Sequence, residues 1–133
     1  MMNTVETLWP RLQVVLAAFA TKLVASDPAL RHTLGRTANE SFLLRAYLAF
    51  SKRAGGDEVA ITVDIQSDGE RLAVASDACT EDGRVIAEGP SAAISLSGGQ
   101  MDVEAALSNW LGTFERFLLS GEQVIGIATA RLS

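Results

Sequence analysis

Between residues 41 and 90 the sequence alternates apolar and polar positions in segments that are separated by turn signals. The signals are the dipeptides Gly55-Gly56, Asp68-Gly69 and Asp82-Gly83, whose residues tolerate the positive φ angles of tight hairpin turns. Pairing consecutive segments across these turns brings the apolar side chains to one face of a sheet. A one-residue slip in any hairpin would scatter them over both faces. The pattern therefore predicts an antiparallel β-meander from Ser41 to Pro90.

The register of this meander follows from centring each turn on its dipeptide. The expected pairs are Phe50 with Ile61, Leu48 with Val63, Ala46 with Ile65, Ile65 with Leu72, Val63 with Val74, Val59 with Ala78, Ala78 with Ala87 and Thr80 with Val85. Pro90 cannot donate a hydrogen bond to the ladder, so it ends or bends the last strand. Apolar residues at 92, 94 and 96 are placed to continue that strand after the bend.

Residues 41–53 fit two structures. A helix is indicated by the capping-box spacing of Thr37 and Glu40 and by Gly55 in the position of a C-cap. In a helix, however, Leu44 and Leu48 would lie opposite the other apolar residues and would need burial on all sides. A strand places them on the shared apolar face, so the sequence favours a strand.

A helix is predicted before the meander. Its apolar stripe recurs at helical spacing and consists of Leu12, Val15, Leu16, Phe19 and Leu23. Pro10 leaves two starts open: a short first turn that kinks at this proline, or a helix with Pro10 at its first position. Asp27-Pro28 then predicts a short helical turn that runs through Leu34 and is ended by Gly35.

A second long helix is predicted after the glycine-containing linker at residues 97–99. Asp102 is placed to cap it, and its wide apolar stripe comprises Val103, Leu107, Trp110, Leu111, Phe114, Phe117 and Leu118. Gly112 marks a close approach to the sheet or is merely tolerated, at a cost of about 1 kcal/mol relative to Ala. Gly121 is expected to end the helix, which leaves residues 124–127 as an edge strand or a packed extension.

Together these elements predict a single α+β domain over residues 1–133. An antiparallel β-meander of about four strands carries the N- and C-terminal helices on one face, because both helical stripes need an apolar partner. The opposite face of the sheet is left uncovered.

The uncovered face carries an unusual set of residues. Its charged and aromatic members are Arg45, Tyr47, Asp64, Asp77 and Glu88, and Ile86 and several small residues accompany them. The expected register sets Tyr47 opposite Asp64 and sets Asp77 opposite Glu88, although like charges across a ladder are destabilising. These five residues form an acidic, aromatic-edged candidate surface for a basic protein partner. The alternative is a solvated face that only keeps a one-sided sheet soluble.

Composition narrows the classes of partner. The 133 residues are 48% hydrophobic and carry a net charge of −5, whereas nucleic acids and anionic membranes select basic surfaces. The single cysteine, Cys79, excludes an internal disulfide and is typical of a reducing compartment. The apolar run Val14–Ala20 is shorter than the ~20 residues of a membrane span. The chain is therefore expected to be cytoplasmic and to bind neither membrane nor nucleic acid.

No residue pattern indicates catalysis. His32 is the only histidine and has no Cys or Asp at triad or metal-site spacing; it is expected at an exposed helix end. Cys79 lacks a neighbouring basic residue that would activate its thiol, so it is expected to be partly buried and inert. The segment at residues 97–100 lacks the lysine of a phosphate-binding loop. The sequence predicts no enzyme activity, no cofactor and no metal site.

Two segments, GDEVAI at residues 56–61 and EDGRVIAEGP at residues 81–90, occur together with Trp110, Leu111 and Phe114. In this combination the chain resembles the small α+β immunity proteins of bacterial polymorphic toxin systems, the family called TriTu. The resemblance covers about residues 40–114 in outline and rests on the pattern of strands and turns. It implies a bacterial, cytosolic protein that protects its own cell by binding a cognate toxin and blocking the active site of that toxin.

Two other functions fit the same features. An acidic secretion-type chaperone would be a homodimer, whereas an immunity-like inhibitor would be a monomer or a homodimer. A small-ligand-binding or enzymatic domain would instead use a pocket between the sheet and the helices, lined by Trp110, Tyr47 or Phe42.

Overall fold

The structure, a computed structural model, describes residues 2–40 and 42–133; Ser41, the predicted start of the meander, lies outside the described residues. The elements in chain order are α1 (Met2–Ser26), β1 (Arg31–Thr37), β2 (Leu44–Ser51), β3 (Val59–Ser67), β4 (Arg71–Thr80), β5 (Val85–Glu88), β6 (Ala92–Ser95) and α2 (Gln100–Ala130). The predicted α+β class, with a helix on either side of an antiparallel sheet in the chain, is confirmed. Within the described residues the sheet has six strands, which is more than predicted.

The strands lie in the order β1-β2-β3-β4-β5, and β6 pairs with β4. β4 accommodates two partners because β5 pairs with Asp77–Cys79 and β6 pairs with Arg71–Val74. β5 and β6 are therefore two halves of one edge strand, interrupted at Gly89-Pro90. The predicted continuation of the strand beyond Pro90 is confirmed.

Hydrogen bonds with β4 and with α2 fix the interruption between β5 and β6. The Gly89 N–H donates to the Ser76 carbonyl at 3.0 Å. The Pro90 carbonyl accepts from the Ser76 hydroxyl at 2.8 Å and from the Trp110 indole N–H at 3.1 Å. A side chain at position 89 would collide with Ser76 and would lie 3.0 Å from the ring of Phe117. Glycine is required here, and Trp110 links the bend to α2.

The core lies between the sheet and the two helices. Along β2 every second residue is buried, from Leu44 to Phe50, and the residues between them are half-buried or exposed. The helices contribute the stripes that their spacing predicts. The buried members are Leu12, Leu16, Phe19 and Leu23 of α1 and Val103, Leu107, Trp110, Leu111, Phe114 and Leu118 of α2. Burial of such apolar surface stabilises by about 25 cal/mol per Å².

The apolar face is as predicted, but the register of the first two hairpins is displaced by two residues. In the first hairpin Phe50 pairs with Val59 and not with Ile61. In the second, Ile65 pairs with Val74 and not with Leu72. Side chains alternate with a period of two residues, so this displacement leaves every side chain on its predicted face. The pattern of apolar residues therefore does not distinguish the two registers.

The chemistry of the β3–β4 turn explains its displacement. The Asp68 carboxylate accepts hydrogen bonds from the backbone N–H groups of Glu70 and Arg71, at 2.9 and 2.8 Å. Asp68 therefore stands before the turn, and Gly69 and Glu70 are its central residues. Gly69 supplies the positive φ, 91°, that the first central position of this hairpin turn needs.

The third hairpin follows the prediction only in part. Ala78 pairs with Ala87 as predicted, whereas Val85 pairs with Cys79 and not with Thr80. The register shift between residues 78 and 79 leaves Ile86 without a cross-strand partner. Such a bulge re-aims side chains; in this case Ile86 lines a cleft beside α2, so its predicted place on the uncovered face is wrong.

The segment between α1 and the meander is a strand, not the predicted helical turn. β1 pairs with β2 along its whole length, from Arg31 with Ser51 to Thr37 with Arg45. Gly35 lies inside this strand and ends no helix. A polar, mostly exposed segment becomes a strand because the β2 backbone satisfies its hydrogen-bonding groups. Residues 44–51 form β2, so the preference for a strand over a helix there is confirmed.

Both helices are longer than predicted. α1 includes Pro10 in its interior, so the predicted start with Pro10 at the first helical position is wrong, and the helix begins before the proline as the other alternative has it. Residues on both sides of the proline are buried, which offsets the hydrogen bond that Pro10 removes. α2 has Gly99 and not Asp102 at its N-cap, and it passes Gly121 to end at Ala130, so residues 124–127 are helical. A Cβ at Gly112 would meet nothing within 4 Å, so the predicted close approach there is wrong.

The N-terminal helix also has a composition that membranes accept. The segment Thr4–Ser26 is long and apolar enough to span a bilayer. Within it, a stretch of 18 residues has a mean hydropathy of 1.3, and 33% of that stretch is buried in the fold. Core helices of soluble proteins and N-terminal signal sequences meet the same criterion. In this structure the stripe of α1 packs in the core with the sheet and α2.

Candidate protein-binding surface

The sheet face opposite the helices, called the outer face below, displays the polar half of each alternating strand. All the predicted site residues lie on it: Arg45, Tyr47, Asp64, Asp77 and Glu88. Small residues such as Ala60, Ala73 and Ala75 separate them. The surface is consequently flat around a few larger side chains.

One row of residues crosses the outer face at right angles to the strands. From β1 to β5 its successive cross-strand partners are Gly35, Tyr47, Thr62, Asp77 and Glu88. The predicted neighbours Asp77 and Glu88 are therefore confirmed. The predicted pair of Tyr47 with Asp64 is wrong, because the two-residue displacement of the first hairpin places Thr62 opposite Tyr47.

The position of Tyr47 depends on the glycine in β1. A Cβ on Gly35 would lie 2.5 Å from the Tyr47 hydroxyl oxygen and 2.8 Å from Cζ of the ring. Glycine usually weakens a strand. Here the missing side chain leaves the space in which the half-buried Tyr47 ring lies over β1.

Arg45 is fixed by two partners. Its Nε and Nη2 donate to the two carboxylate oxygens of Asp64 at 2.7 and 3.3 Å. The guanidinium carbon lies 3.9 Å from the centroid of the Phe42 ring, a cation–π contact. The hydrogen bond that Arg45 donates to Asp64 raises the pKa of Arg45 above its ordinary value. The charge of Asp64 is thus balanced by Arg45, and this part of the outer face is less acidic than predicted.

Negative charge is concentrated where β4 meets β5. Asp77 is half-buried and accepts hydrogen bonds from the Thr62 hydroxyl at 2.8 Å and from the Cys79 thiol at 3.2 Å. Glu88 beside it is exposed. The ion pairs between described residues lie elsewhere and involve neither carboxylate. Two carboxylates that form no ion pair with a described residue thus stand side by side, although Asp77 is close enough to Arg45 to help raise its pKa.

The two residues considered for catalysis, Cys79 and His32, both lie in strands of the sheet. Burial raises the pKa of the Cys79 thiol to about 11, and the hydrogen bond to Asp77 and its negative charge act in the same direction. The thiol is therefore protonated and unreactive at neutral pH. His32 is exposed in β1 and not at a helix end, so that predicted position is wrong.

The residues proposed to line a ligand pocket do not converge. Trp110 is buried on the helix side of the sheet, where it bonds to Pro90. Tyr47 lies on the outer face, and Phe42 stacks on Arg45. Among residues 2–40 and 42–133 no group of three or more His, Cys, Asp or Glu side chains is arranged to hold a metal ion.

Two members of the surface were missed in the sequence, Gly35 and Phe42. The signal for Gly35 was the β-branched pair Thr33 and Thr37 around it, which is typical of a strand and not of a helical turn. Nothing local indicates the contact of Phe42 with Arg45, since it depends on how the chain enters β2.

Comparison with known proteins identifies no relative of the chain. No protein-family model, no curated protein and no solved structure matches the chain. The function is therefore inferred from the chemistry of the surface itself.

Proposed function

We propose that this protein is a non-catalytic binding domain that neutralises a cognate bacterial toxin, in the manner of an immunity protein. The partner is a basic protein domain, and it binds on the outer face around Tyr47, Asp77 and Glu88. The observation that carries the proposal is the pair of adjacent carboxylates on a helix-free sheet face, neither of which forms an ion pair with a described residue.

The side chains around the carboxylates favour binding over simple solvation. Tyr47 is held over Gly35, and Asp77 is held by Thr62. Side chains that are ordered before binding lose less conformational entropy when a partner arrives. Aromatic residues of this kind are enriched at the energetic centres of protein interfaces. The row from Tyr47 to Glu88 therefore combines an aromatic anchor with negative charge.

The charges act mainly on the encounter. Exposed carboxylates attract a basic partner over distances of about 10 Å at 0.1 M salt, and such complementarity raises the association rate and selects against acidic competitors. Inhibition needs no chemistry from this chain, because coverage of the toxin's active site is sufficient. The site of action is the cytoplasm of the cell that makes the toxin.

The first experiment identifies the partner. The tagged full-length chain is used to capture proteins from a lysate of its native organism, and the captured proteins are identified by mass spectrometry. The expected result is a basic protein with a toxic domain, whose activity the purified chain inhibits at equimolar concentration. An obligate homodimer that captures unfolded secreted polypeptides would contradict the proposal and indicate a secretion-type chaperone.

The second experiment locates the binding surface. Glu88→Lys combined with Asp77→Asn removes the charge pair, and the asparagine oxygen can still accept the hydrogen bond from Thr62. We expect affinity to fall at least about tenfold, or about 1.4 kcal/mol, with a smaller salt dependence. Glu104→Lys combined with Glu115→Lys alters charge on α2 and serves as the control. Unchanged affinity for the outer-face variant would exclude this surface.

A further inference from the structure

A cleft of about 730 Å³ opens on the helix side of the sheet, away from the outer face. It lies between the last turns of α2 and the hairpin of β4 and β5. Its floor is apolar and consists of Val59, Ile86, Val124, Ile127, Ala128 and Leu132. A volume in this range holds a small molecule or several side chains of a peptide.

The floor of the cleft exposes large aliphatic side chains. Val124 is 49% exposed and Ile127 is 48% exposed, although Ile125 between them is fully buried in the core. The bulge in β5 adds Ile86, which has no cross-strand partner and faces the cleft. Single exposed apolar residues are common, but adjacent ones that line a concave surface are typical of binding sites.

The rim of the cleft is charged, and the charge is not balanced. Asp57, Glu58, Glu81 and Asp82 line it where β3 begins and β4 ends, and Arg84 and Arg131 are its cations. The ion pairs between described residues leave all these rim groups out. The Thr80 hydroxyl and the Arg84 backbone N–H donate to Asp82 and lower its pKa, so this carboxylate stays ionised. The cleft is thus apolar at its floor and net negative at its rim.

We propose that this cleft binds a segment of a partner protein that carries an aliphatic side chain next to a lysine or arginine. The aliphatic side chain would pack on Val124 and Ile127. The cation would reach the carboxylates at the sheet end of the rim, which fixes the direction of the segment. Charge complementarity selects such a segment over an acidic one. The site is separate from the outer face, and it stands whether or not the outer face binds a toxin.

A synthetic peptide tests the chemistry directly. The probe is an N-acetylated hexapeptide that alternates leucine and arginine, titrated into the full ¹⁵N-labelled chain and followed by backbone amide chemical shifts. We expect shifts around Ile86, Val124 and Ile127 and none around Tyr47. Two matched peptides, one with glutamate for arginine and one with serine for leucine, should bind at least about tenfold more weakly. Equal binding of the glutamate peptide, or no shifts at the cleft with millimolar probe, would overturn the proposal.

Variants of the chain separate the floor from the rim. Ile127→Glu should abolish binding of the probe, whereas Leu119→Glu, on an exposed position of the same helix outside the cleft, should not. Glu58→Lys with Glu81→Lys should weaken binding about tenfold and leave the thermal midpoint near that of the natural chain. Identical effects of Ile127→Glu and Leu119→Glu, in variants that keep the native amide spectrum elsewhere, would overturn the assignment.

Discussion

The two faces of the sheet are built from the same strands but differ in how deeply their side chains are buried. On the face toward the helices, side chains such as Leu48, Phe50 and Ile61 are completely buried. On the outer face, the intervening residues are half-buried or exposed, and their contacts are the pairs around Arg45, Tyr47 and Asp77. The first face determines stability, because it removes apolar surface from water. The second face can change its residues at small cost, so it is where recognition can be placed.

The largest expected effect separates the faces directly. Phe50→Ala empties a fully buried site, and we expect the free energy of unfolding to fall by about 3–5 kcal/mol. Arg45→Ala, five residues earlier on the same strand and on the outer face, should cost about 1 kcal/mol or less. Urea denaturation of both variants measures the difference. Equal losses would show that the outer face also carries the fold.

The next effect concerns the bend that joins the sheet to α2. Gly89→Ala places a Cβ against Ser76 and Phe117, so it should destabilise the fold by about 1–3 kcal/mol. Gly112→Ala is the matched control, because a Cβ there meets nothing within 4 Å and should stabilise the helix by about 0.5–1 kcal/mol. Thermal unfolding of both variants measures whether each is less stable or more stable than the natural chain. A neutral Gly89→Ala would mean that the edge strand is not fixed at this point.

A smaller effect is expected from the ion pair on the outer face. A double-mutant cycle with Arg45→Ala and Asp64→Ala should give a coupling energy of about 0.3–1 kcal/mol, reduced by added salt. The same cycle with Arg45→Ala and Glu88→Ala should give almost none, since no ion pair joins these residues. A coupling of several kcal/mol would indicate that this face behaves as part of the core.

The smallest effect on the fold, yet the most direct probe of the outer face, is the titration of Cys79. The pH profile of its alkylation rate should have its midpoint at a pH of about 11, whereas the profile of the urea-unfolded chain should have its midpoint near the ordinary thiol value of about 8.5. Because the pKa is raised in the folded state, the native fold favours the protonated thiol. The contribution of Cys79 to the free energy of unfolding is complete when the pH is below the thiol pKa of the unfolded chain. It is lost as the pH rises through the thiol pKa of the folded chain.

Asp77→Asn sharpens that measurement. Removing the negative charge should lower the pKa of Cys79, and the remaining burial should keep it above the ordinary value, because burial is the largest cause of the shift. An unchanged midpoint would mean that Asp77 does not face the thiol.

The sequence alone determined which residues of β2, β3 and β4 share a face, and with this the α+β class and the placement of the candidate surface, although it misplaced Ile86. Two side chains of a strand lie on the same face of the sheet whenever their positions in the sequence differ by an even number. The prediction that Arg45, Tyr47, Asp64, Asp77 and Glu88 lie together therefore survived a register error of two residues. The helical stripes were equally robust, since each repeats over several turns.

Tertiary structure decided what local pattern leaves open. The β3–β4 register depends on the hydrogen bonds of the Asp68 side chain, which place Gly69 and not Asp68 at the first central position of the turn. β1 is a strand because β2 pairs with it, and α2 continues past Gly121 because Ile125 and Thr129 remain buried. The cleft beside Ile127 exists only because the helix continues past that glycine. These outcomes arise from contacts between residues far apart in sequence, and such contacts outweigh the intrinsic preferences of single residues.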